Sequence, residues 1–373
     1  MKQWIIAWLS LTIVASCRNQ VKNNPGDTTY LPSKNSPNTD SARPALFLNL
    51  PDSCNTPDGL ALDSSGNIYL SMPNFNDPTK RARIYIISQA DTMLHPFVDL
   101  PVRPDTKHVG PMDLAVSPDS NLYVNDNQYE LYDKNYKSRV LKLSMKNGKP
   151  IKVETVVDGL RLANGMVWLD KVLYITDSQW DTPQDTAKSA VFKFTLDELN
   201  SGKIIHIQPG YTDKHILDTF TTHIGKDKID NGVDGIDYDS RGNLITGIFG
   251  DGTIYKLILS APGKLGRKEV FVPTGLIPCA DGLVVDRLTG NMYVADPKSN
   301  AIRKVTADGV VSTLWKNTNT DGKSGLLDEP VEVLLHGDNL IISNFDKPMK
   351  GFVNSKFDKP YTLSVINLSK ASK

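Results

Sequence analysis

From residue 45 onward, apolar and polar positions alternate over short runs separated by turn residues, which is typical of β-strands. A unit recurs in this part of the chain: a Pro or small residue, a variable second position, an apolar strand, a turn and a second strand. Its second position falls at residues 58, 112, 164, 234, 281 and 331. The intervals of 54, 52, 70, 47 and 50 residues are close to the period of one propeller blade.

Each unit continues into further strands. A third strand follows in all six copies, less securely in the last, and a fourth is visible in four of them. Residues 63–66 and 239–242 have the composition of hairpin turns. The last unit ends after its third strand, whereas residues 45–50 have the pattern of a fourth. We therefore predict an all-β fold, a six-bladed β-propeller of four-stranded antiparallel blades in which the N-terminal strand closes the last blade.

Strands and turns account for nearly all of this pattern, so few residues are left for helices. The clearest candidate is 196–200, one or two turns at most. The interval between positions 164 and 234 is the longest of the five, and we assign its additional residues to an insertion over 212–231 that crosses one face.

The first 44 residues differ from the rest. One Lys precedes an apolar run over 4–16 that is too short to span a bilayer, which predicts a signal peptide over 1–16. Small residues before Cys17 resemble the lipobox of bacterial lipoproteins, which implies that Cys17 is lipidated; an ordinary secreted leader is the alternative. Polar residues then predict a disordered tether up to residue 44, followed by the propeller over 45–373. We expect a lipid-anchored, extracytoplasmic protein, at the outer rather than the inner membrane because Arg18, not Asp, follows the cysteine.

Charge narrows the choice of partners. Lys and Arg number 42 and Asp and Glu number 42, so the net charge is zero and the basic surface of a nucleic-acid binder is not expected. Membrane contact is expected only through the lipid. Cys54 and Cys279 would meet an oxidising compartment, and both one disulfide and two free thiols remain open.

The start of each first strand carries the candidate chemistry. Four of the six second positions are oxygen donors followed by Gly: Asp58, Asn164, Asp234 and Asp281. First strands line the channel of a propeller, so these side chains converge on its axis. Two carboxylates roughly 8 Å apart repel by about 2 kcal/mol at an effective dielectric constant near 20, which a divalent cation would offset. Oxygen ligands favour a hard ion such as Ca²⁺, whereas the alternative is that these pairs only build turns.

The other two blades differ, with Met112-Asp113 and Val331-Glu332 shifting the acid by one residue. Because successive strand residues face opposite ways, Asp113 and Glu332 would act indirectly on a metal or support the turn.

Residues 163–166 and 233–239 carry a family resemblance. They resemble the gluconolactonase/regucalcin (senescence-marker-protein-like) calcium-dependent lactonase propellers, over about residues 45–368. The resemblance implies a Ca²⁺ ion, or another hard divalent cation, held by Asp58, Asn164 and Asp234, with Asp234 as the catalytic base in hydrolysis. Met112 stands where the family has an Asn ligand, so Asp281 or Asp113 are possible additional ligands.

Two functions follow. The first is an extracytoplasmic hydrolase that opens a sugar lactone or a related ester, acting on a small-molecule substrate. The second is a non-catalytic propeller that binds a ligand or a protein partner through one face. His108, four residues before Met112, and His223, in the predicted insertion, are candidate substrate-binding residues. The pattern does not indicate an oligomeric state.

Overall fold

The computed structural model describes residues 42–130, 136–181, 186–224, 229 and 231–371. The predicted signal peptide, Cys17 and all but the last three residues of the predicted tether lie outside these ranges. In the part of the chain that is described, every helix is too short to cross a membrane.

Six antiparallel sheets follow one another and form the blades of a six-bladed β-propeller, as predicted. The first strand of the chain is β1 (Ala45–Asn49). Blade 1 contains β2 (Leu60–Leu62), β3 (Ile68–Met72), β4 (Arg83–Ile87) and β5 (Leu94–Asp99). Blade 2 contains β6 (Pro111–Val116), β7 (Leu122–Asp126), β8 (Ser138–Lys146) and β9 (Lys149–Leu160).

The third blade is interrupted. Its first three strands are β10 (Ala163–Leu169), β11 (Val172–Asp181) and β12 (Thr186–Thr195). The chain then forms helix α1 (Leu196–Leu199) and β13 (Ile205–His206), which pairs in parallel with β9 of blade 2, before β14 (Ile216–His223) completes blade 3. The helix predicted at 196–200 is confirmed, and a capping box between Thr195 and Glu198 explains its start.

The remaining blades are regular. Blade 4 contains β15 (Val233–Tyr238), β16 (Leu244–Ile248), β17 (Ile254–Ala261) and β18 (Lys264–Val272). Blade 5 contains β19 (Leu283–Val285), β20 (Met292–Asp296), the 3₁₀ turn Pro297–Ser299, β21 (Ala301–Val305) and β22 (Val311–Lys316). Blade 6 contains β23 (Pro330–His336), β24 (Asn339–Asn344) and β25 (Thr362–Asn367), with α2 (Leu368–Ala371) after it.

Strand β1 pairs with β25 and is the outer strand of blade 6, so the predicted ring closure is confirmed. The predicted insertion over 212–231 is wrong in part. Ile216–His223 is the outer strand of blade 3, and much of the extra length lies before it, between β12 and β14.

Apolar faces of neighbouring blades pack together to form the core. Trp180, for example, is fully buried and meets Phe192 edge-on at 5.0 Å. Cys54 and Cys279 are both buried and both free, so the two-thiol alternative is the observed one.

The innermost strands of blades 2, 3, 4 and 6 share one irregularity. Their pairing with the second strand shifts register near the start, between Pro111 and Leu114, Ala163 and Met166, Val233 and Ile236, and Pro330 and Glu332. A bulge of this kind re-aims the side chains at that point. In blades 3 and 4 the bulge contains the Asn-Gly or Asp-Gly pair, so these pairs lie within an inner strand rather than in a turn before it.

Candidate functional site at the channel mouth

One end of the axial channel opens into a cavity of about 70 Å³. Its wall includes all four predicted oxygen donors, which come from blades 1, 3, 4 and 5: Asp58, Asn164, Asp234 and Asp281. The three Asp residues are buried, with exposed fractions of 3 to 9%. The structure thus brings together residues that are separated by more than 220 positions in the chain.

The Gly residue after each donor explains how the strands approach the axis so closely. A Cβ atom on Gly165 would lie 2.5 Å from the carbonyl oxygen of Asp234, and one on Gly235 would lie 2.4 Å from that of Asp281. Such distances are too short for any side chain. Glycine therefore lets each inner strand contact the backbone of the next blade, and this contact places neighbouring donors side by side.

Asp234 and Asp281 form a hydrogen-bonded pair of carboxyl groups. Burial raises the pKa of Asp234 to about 7, although hydrogen bonds from Asp281 and Ser178 lower it. Burial, followed by the charges of Asp234 and Asp58, raises the pKa of Asp281 well above its usual range. Asp281 is therefore the protonated member that donates the hydrogen bond, and Asp234 is the acceptor.

Asp58 lines the same cavity as this pair. Burial, then the charges of Asp113 and Asp234, raises the pKa of Asp58 well above its usual value. Its Oδ2 atom is buried and has no hydrogen-bond partner among the described residues. An unpaired carboxylate oxygen in such a place is costly, which is a sign that a cation or a proton belongs there.

Asn164 is held in place by its neighbours. Its backbone carbonyl oxygen accepts a hydrogen bond of 2.5 Å from Asn125 Nδ2, and its side-chain Nδ2 lies 3.5 Å from Ser178 Oγ. Ser178 Oγ in turn donates to the carbonyl oxygen of Val233 at 2.6 Å and lies 3.5 Å from Asp234 Oδ2. Ser178 thereby links Asn164 to Asp234, a connection that the repeat does not reveal.

The donor set suits a hard cation in its chemistry, because it offers carboxylate oxygens and an amide. Within the described ranges, however, no three His, Cys, Asp or Glu side chains are arranged to hold a metal ion by themselves. A divalent ion here would therefore need Asn164 and water in addition to the carboxylates.

Met112 and Asp113 occupy different places. Met112 lines the cavity beside the oxygen donors. Asp113 lies further along the channel and lines the cavity at its opposite end. Its carboxylate accepts the N–H groups of Leu114 and Met166, both at 2.7 Å, and so joins blade 2 to blade 3. Asp113 therefore braces blade 2 against blade 3 from a position outside the cavity that the four oxygen donors line.

Of the two candidate histidines, only His108 has a described side chain, and it is not part of this cavity wall. His108 lies with Pro78, Arg81 and Val109 around a separate surface cavity of about 120 Å³. His223 is the last residue of β14, where it pairs with Thr186, and its side chain lies outside the described part of the structure.

Several cavity residues lie outside the repeat. Glu130 and Lys347, from the loops of blades 2 and 6, form an ion pair of 3.1 Å, and Glu329 lies beside them with only 2% exposed. Apolar side chains complete the wall, including Phe249, Phe345, Met349 and Phe352. Of these residues, Glu329 is the one that the sequence could have indicated, because it is an acid directly before the proline that opens the sixth repeat.

Comparison with known proteins gives a match in structure only. No family model matches the chain, and no curated protein matches it in sequence. A gluconolactonase from Xanthomonas campestris is similar in structure at 13% identity, over 87% of this chain and 89% of its own, with a TM-score of 0.54. Regucalcin from Agrobacterium tumefaciens, described as a calcium-binding protein, matches at 13% identity over 87% and 92%, with a TM-score of 0.54.

The resemblance to gluconolactonase and regucalcin propellers is thus confirmed at the level of structure. The same fold also occurs in a PQQ-bound aldose sugar dehydrogenase from Streptomyces coelicolor, at 14% identity over 87% and 97%, with a TM-score of 0.52. At such identities the similarity shows the fold alone, and the chemistry has to be argued from the site.

Proposed function

We propose that this protein is a hydrolase that opens a lactone or a related ester in the cavity at the channel mouth, with Ca²⁺ or another hard divalent cation. One observation carries the proposal: a paired Asp234 and Asp281 face an unpartnered Asp58 oxygen within one buried cavity. The structural similarity to a gluconolactonase and to a calcium-binding regucalcin supports it.

The residues suggest how hydrolysis would proceed. Asp281 holds its proton in the hydrogen bond to Asp234, which keeps Asp234 available as the acceptor of a further proton. Asp234 takes a proton from the attacking water as the water oxygen bonds to the carbonyl carbon. The carbon–oxygen bond of the ring then breaks, and the leaving oxygen takes that proton back. Asp58, Asn164 and Asp234 would hold the cation, which when bound supplies positive charge that polarises the carbonyl.

The cavity wall supports a preference in substrate. Phe345, Met349 and Phe352 present apolar surface, which an alkyl or aryl group can cover more completely than the hydroxyl groups of a sugar can. We therefore expect a lactone that carries an alkyl or aryl group to be a better substrate than gluconolactone.

Met112 favours a second candidate function. A thioether is a poor ligand for a hard cation, and Met112 lines the cavity where the resemblance places an Asn. A propeller that binds a small ligand or a protein partner without hydrolysing anything would tolerate this residue.

We further propose that the hydrolase is an extracytoplasmic lipoprotein anchored through Cys17, at the outer membrane. The short apolar run and the small residues before Cys17 support this location. Metabolic labelling with a palmitate analogue tests it, because Cys17→Ser should remove the label.

The Asp234→Asn variant tests the hydrolase. We expect kcat/KM on an alkyl-substituted lactone to fall by about 10² to 10⁴, the usual contribution of a general base. The fold should be kept, and the Tm should fall no further than EGTA lowers it, because Asp234 is also one of the residues that hold the cation. EGTA should abolish turnover and lower the Tm of the wild-type protein, and Ca²⁺ should restore both. Asp52→Asn is the matched control, since Asp52 is exposed and is not part of the cavity wall.

Two results would decide against this function. Full turnover by Asp234→Asn would remove Asp234 as the base. If EGTA has no effect on the wild-type protein, and the protein hydrolyses neither gluconolactone nor an alkyl or aryl ester, the second candidate function, binding without hydrolysis, would be favoured.

A further inference from the structure

A second group of buried acids lies behind the cavity wall. The loop between β24 and β25, residues 345–361, folds back against Asp328, which directly precedes the cavity residue Glu329. Asp346 belongs to this loop and directly precedes Lys347. Asp328 is 4% exposed and Asp346 is 1% exposed.

The negative charge of these two carboxyl groups is not balanced by an ion pair. The neighbouring acids do have partners, since Asp358 pairs with Lys356 at 3.3 Å and Asp321 pairs with Lys323 at 3.1 Å. Asp328 and Asp346 form no ion pair with any Lys or Arg in the described ranges. Burial, followed by the charges of Asp346 and Asp358, raises the pKa of Asp328 to about 8. Burial and the charge of Asp358 raise that of Asp346 to about 7, although hydrogen bonds lower it.

Asn354 connects the two carboxyl groups. It is 1% exposed, its Nδ2 donates to Asp346 Oδ1 at 2.8 Å, and it also hydrogen-bonds to Asp328. The Oδ1 atoms of Asn354 and Asp328 are both buried without a hydrogen-bond partner among the described residues. Unsatisfied acceptors of this kind, next to uncompensated carboxylates, are the environment that a cation relieves.

We propose that Asp328, Asp346 and Asn354 form a binding site for a hard divalent cation of the Ca²⁺ type. Two carboxylates and an amide oxygen are the ligand types that such an ion takes, with water completing its coordination. Asn354 Nδ2 now donates to the carboxyl groups, so ligation requires the amide to turn and present its unpartnered Oδ1 instead. The site is separate from the one at the channel axis and does not depend on it.

The consequence of this site is structural. Asp346 and Asn354 belong to the loop that supplies Lys347, Met349 and Phe352 to the cavity wall, whereas Asp328 belongs to the segment that enters blade 6. A cation that joins the loop to this segment would fasten the wall of the cavity.

Limited proteolysis of the whole protein reads out this effect directly. Lys350 and Lys356 are exposed loop residues at which trypsin can cut, whereas Lys347 and Lys359 precede proline and resist it. With Ca²⁺ at about ten times its Kd, we expect cleavage after these two lysines to slow about ten-fold relative to EGTA, because binding depopulates the locally open loop.

Variants assign the protection to a site. Asp328→Asn should abolish it, whereas Asp58→Asn at the channel axis and Asp321→Asn at the surface should retain it. Failure of the axial cation site would therefore not be confused with failure of this one. Equal cleavage rates with and without Ca²⁺ in the wild-type protein, or protection retained in Asp328→Asn, would overturn the proposal.

Terbium luminescence provides a measurement that does not need a variant of the ligands. Tyr361 is 3% exposed and close enough to Asp346 and Asp328 for their charges to contribute to its raised pKa. Bound Tb³⁺ should emit through Tyr361, and Tyr361→Phe should remove at least about half of the emission that Ca²⁺ competes away. Undiminished emission in Tyr361→Phe would contradict the site.

Discussion

Glycine at the channel axis decides how closely the oxygen donors approach one another. Gly59, Gly165, Gly235 and Gly282 each follow a donor, and a Cβ atom on any of them would lie within 2.6 Å of the next blade. Blades 2 and 6 have Asp113 and Glu332 in the same position. In these two blades a carboxyl side chain occupies the position that glycine leaves open in the others, and the Asp113 carboxylate accepts a hydrogen bond from the next blade.

Gly235→Ala tests this close approach. The new methyl group would lie 2.4 Å from the carbonyl oxygen of Asp281 and 2.8 Å from Gly282 Cα, both backbone atoms that cannot rotate away. We expect the free energy of unfolding to fall by about 1 to 3 kcal/mol, as for overpacked cores, when it is measured by urea denaturation. The control is Gly266→Ala in the exposed outer strand of the same blade, where the nearest atom is 3.0 Å away. Equal losses in the two variants would show that the approach at the axis is not tight.

Hairpin turns are the elements that the sequence predicts best. The turns at 63–66 and 239–242 both form, and in the second Asp239 accepts the N–H groups of Arg241 and Asn243 at 2.9 and 3.0 Å. Lys256 lies 2.6 Å from the same carboxylate. Burial raises the pKa of Asp239, but hydrogen bonds from Asn243 and Lys256 outweigh it and lower the pKa to about 2.

Asp239→Asn tests the contribution of this turn. A carboxyl group whose folded pKa lies below the unfolded value stabilises the protein above that unfolded value and loses the effect as the pH falls towards about 2. We expect the variant to lose about 1 to 2 kcal/mol of unfolding free energy at pH 7, with the difference shrinking below about pH 4. Asp338→Asn is the control, an exposed turn residue of blade 6 whose carboxylate has no hydrogen bond to a described residue. A difference that is independent of pH between 2 and 7 would argue against the charged hydrogen bonds.

The outer elements were harder to predict than the inner ones, for a physical reason. The first two strands of each blade are mostly buried and repeat their pattern, so the blades and the four donors could be found from the sequence. Strand β14 has the sequence Ile-Leu-Asp-Thr-Phe-Thr-Thr-His, whose polar residues suit an outer strand and resemble a loop. Glu130 and Lys347 belong to loops without periodicity, and their ion pair depends on how blades 2 and 6 face each other across the channel.

At the scale of the whole molecule, stability depends on closing the ring. Strand β1 pairs with β25 through four residue pairs, from Ala45 with Val365 to Asn49 with Thr362. Gly325, in the loop before blade 6, packs directly against β1. Its φ is 82°, and a Cβ atom at this position would lie 1.8 Å from the backbone nitrogen of Leu46. Only glycine fits there, so the loop before blade 6 is shaped around the N-terminal strand.

Truncation tests the closure. A chain of residues 42–373 keeps β1 and should unfold in one transition, whereas a chain of residues 51–373 leaves β25 as an open edge and exposes the apolar cluster that Phe47 and Leu48 cover. We expect its Tm, measured by calorimetry, to fall by about 10 °C or more, or its single transition to be lost. The longer chain should also keep any lactone hydrolysis, because every cavity residue follows β1 in the chain. If both chains had the same Tm, blade 6 would be stable with three strands, and the propeller would be held by packing between blades rather than by the strand that joins its ends.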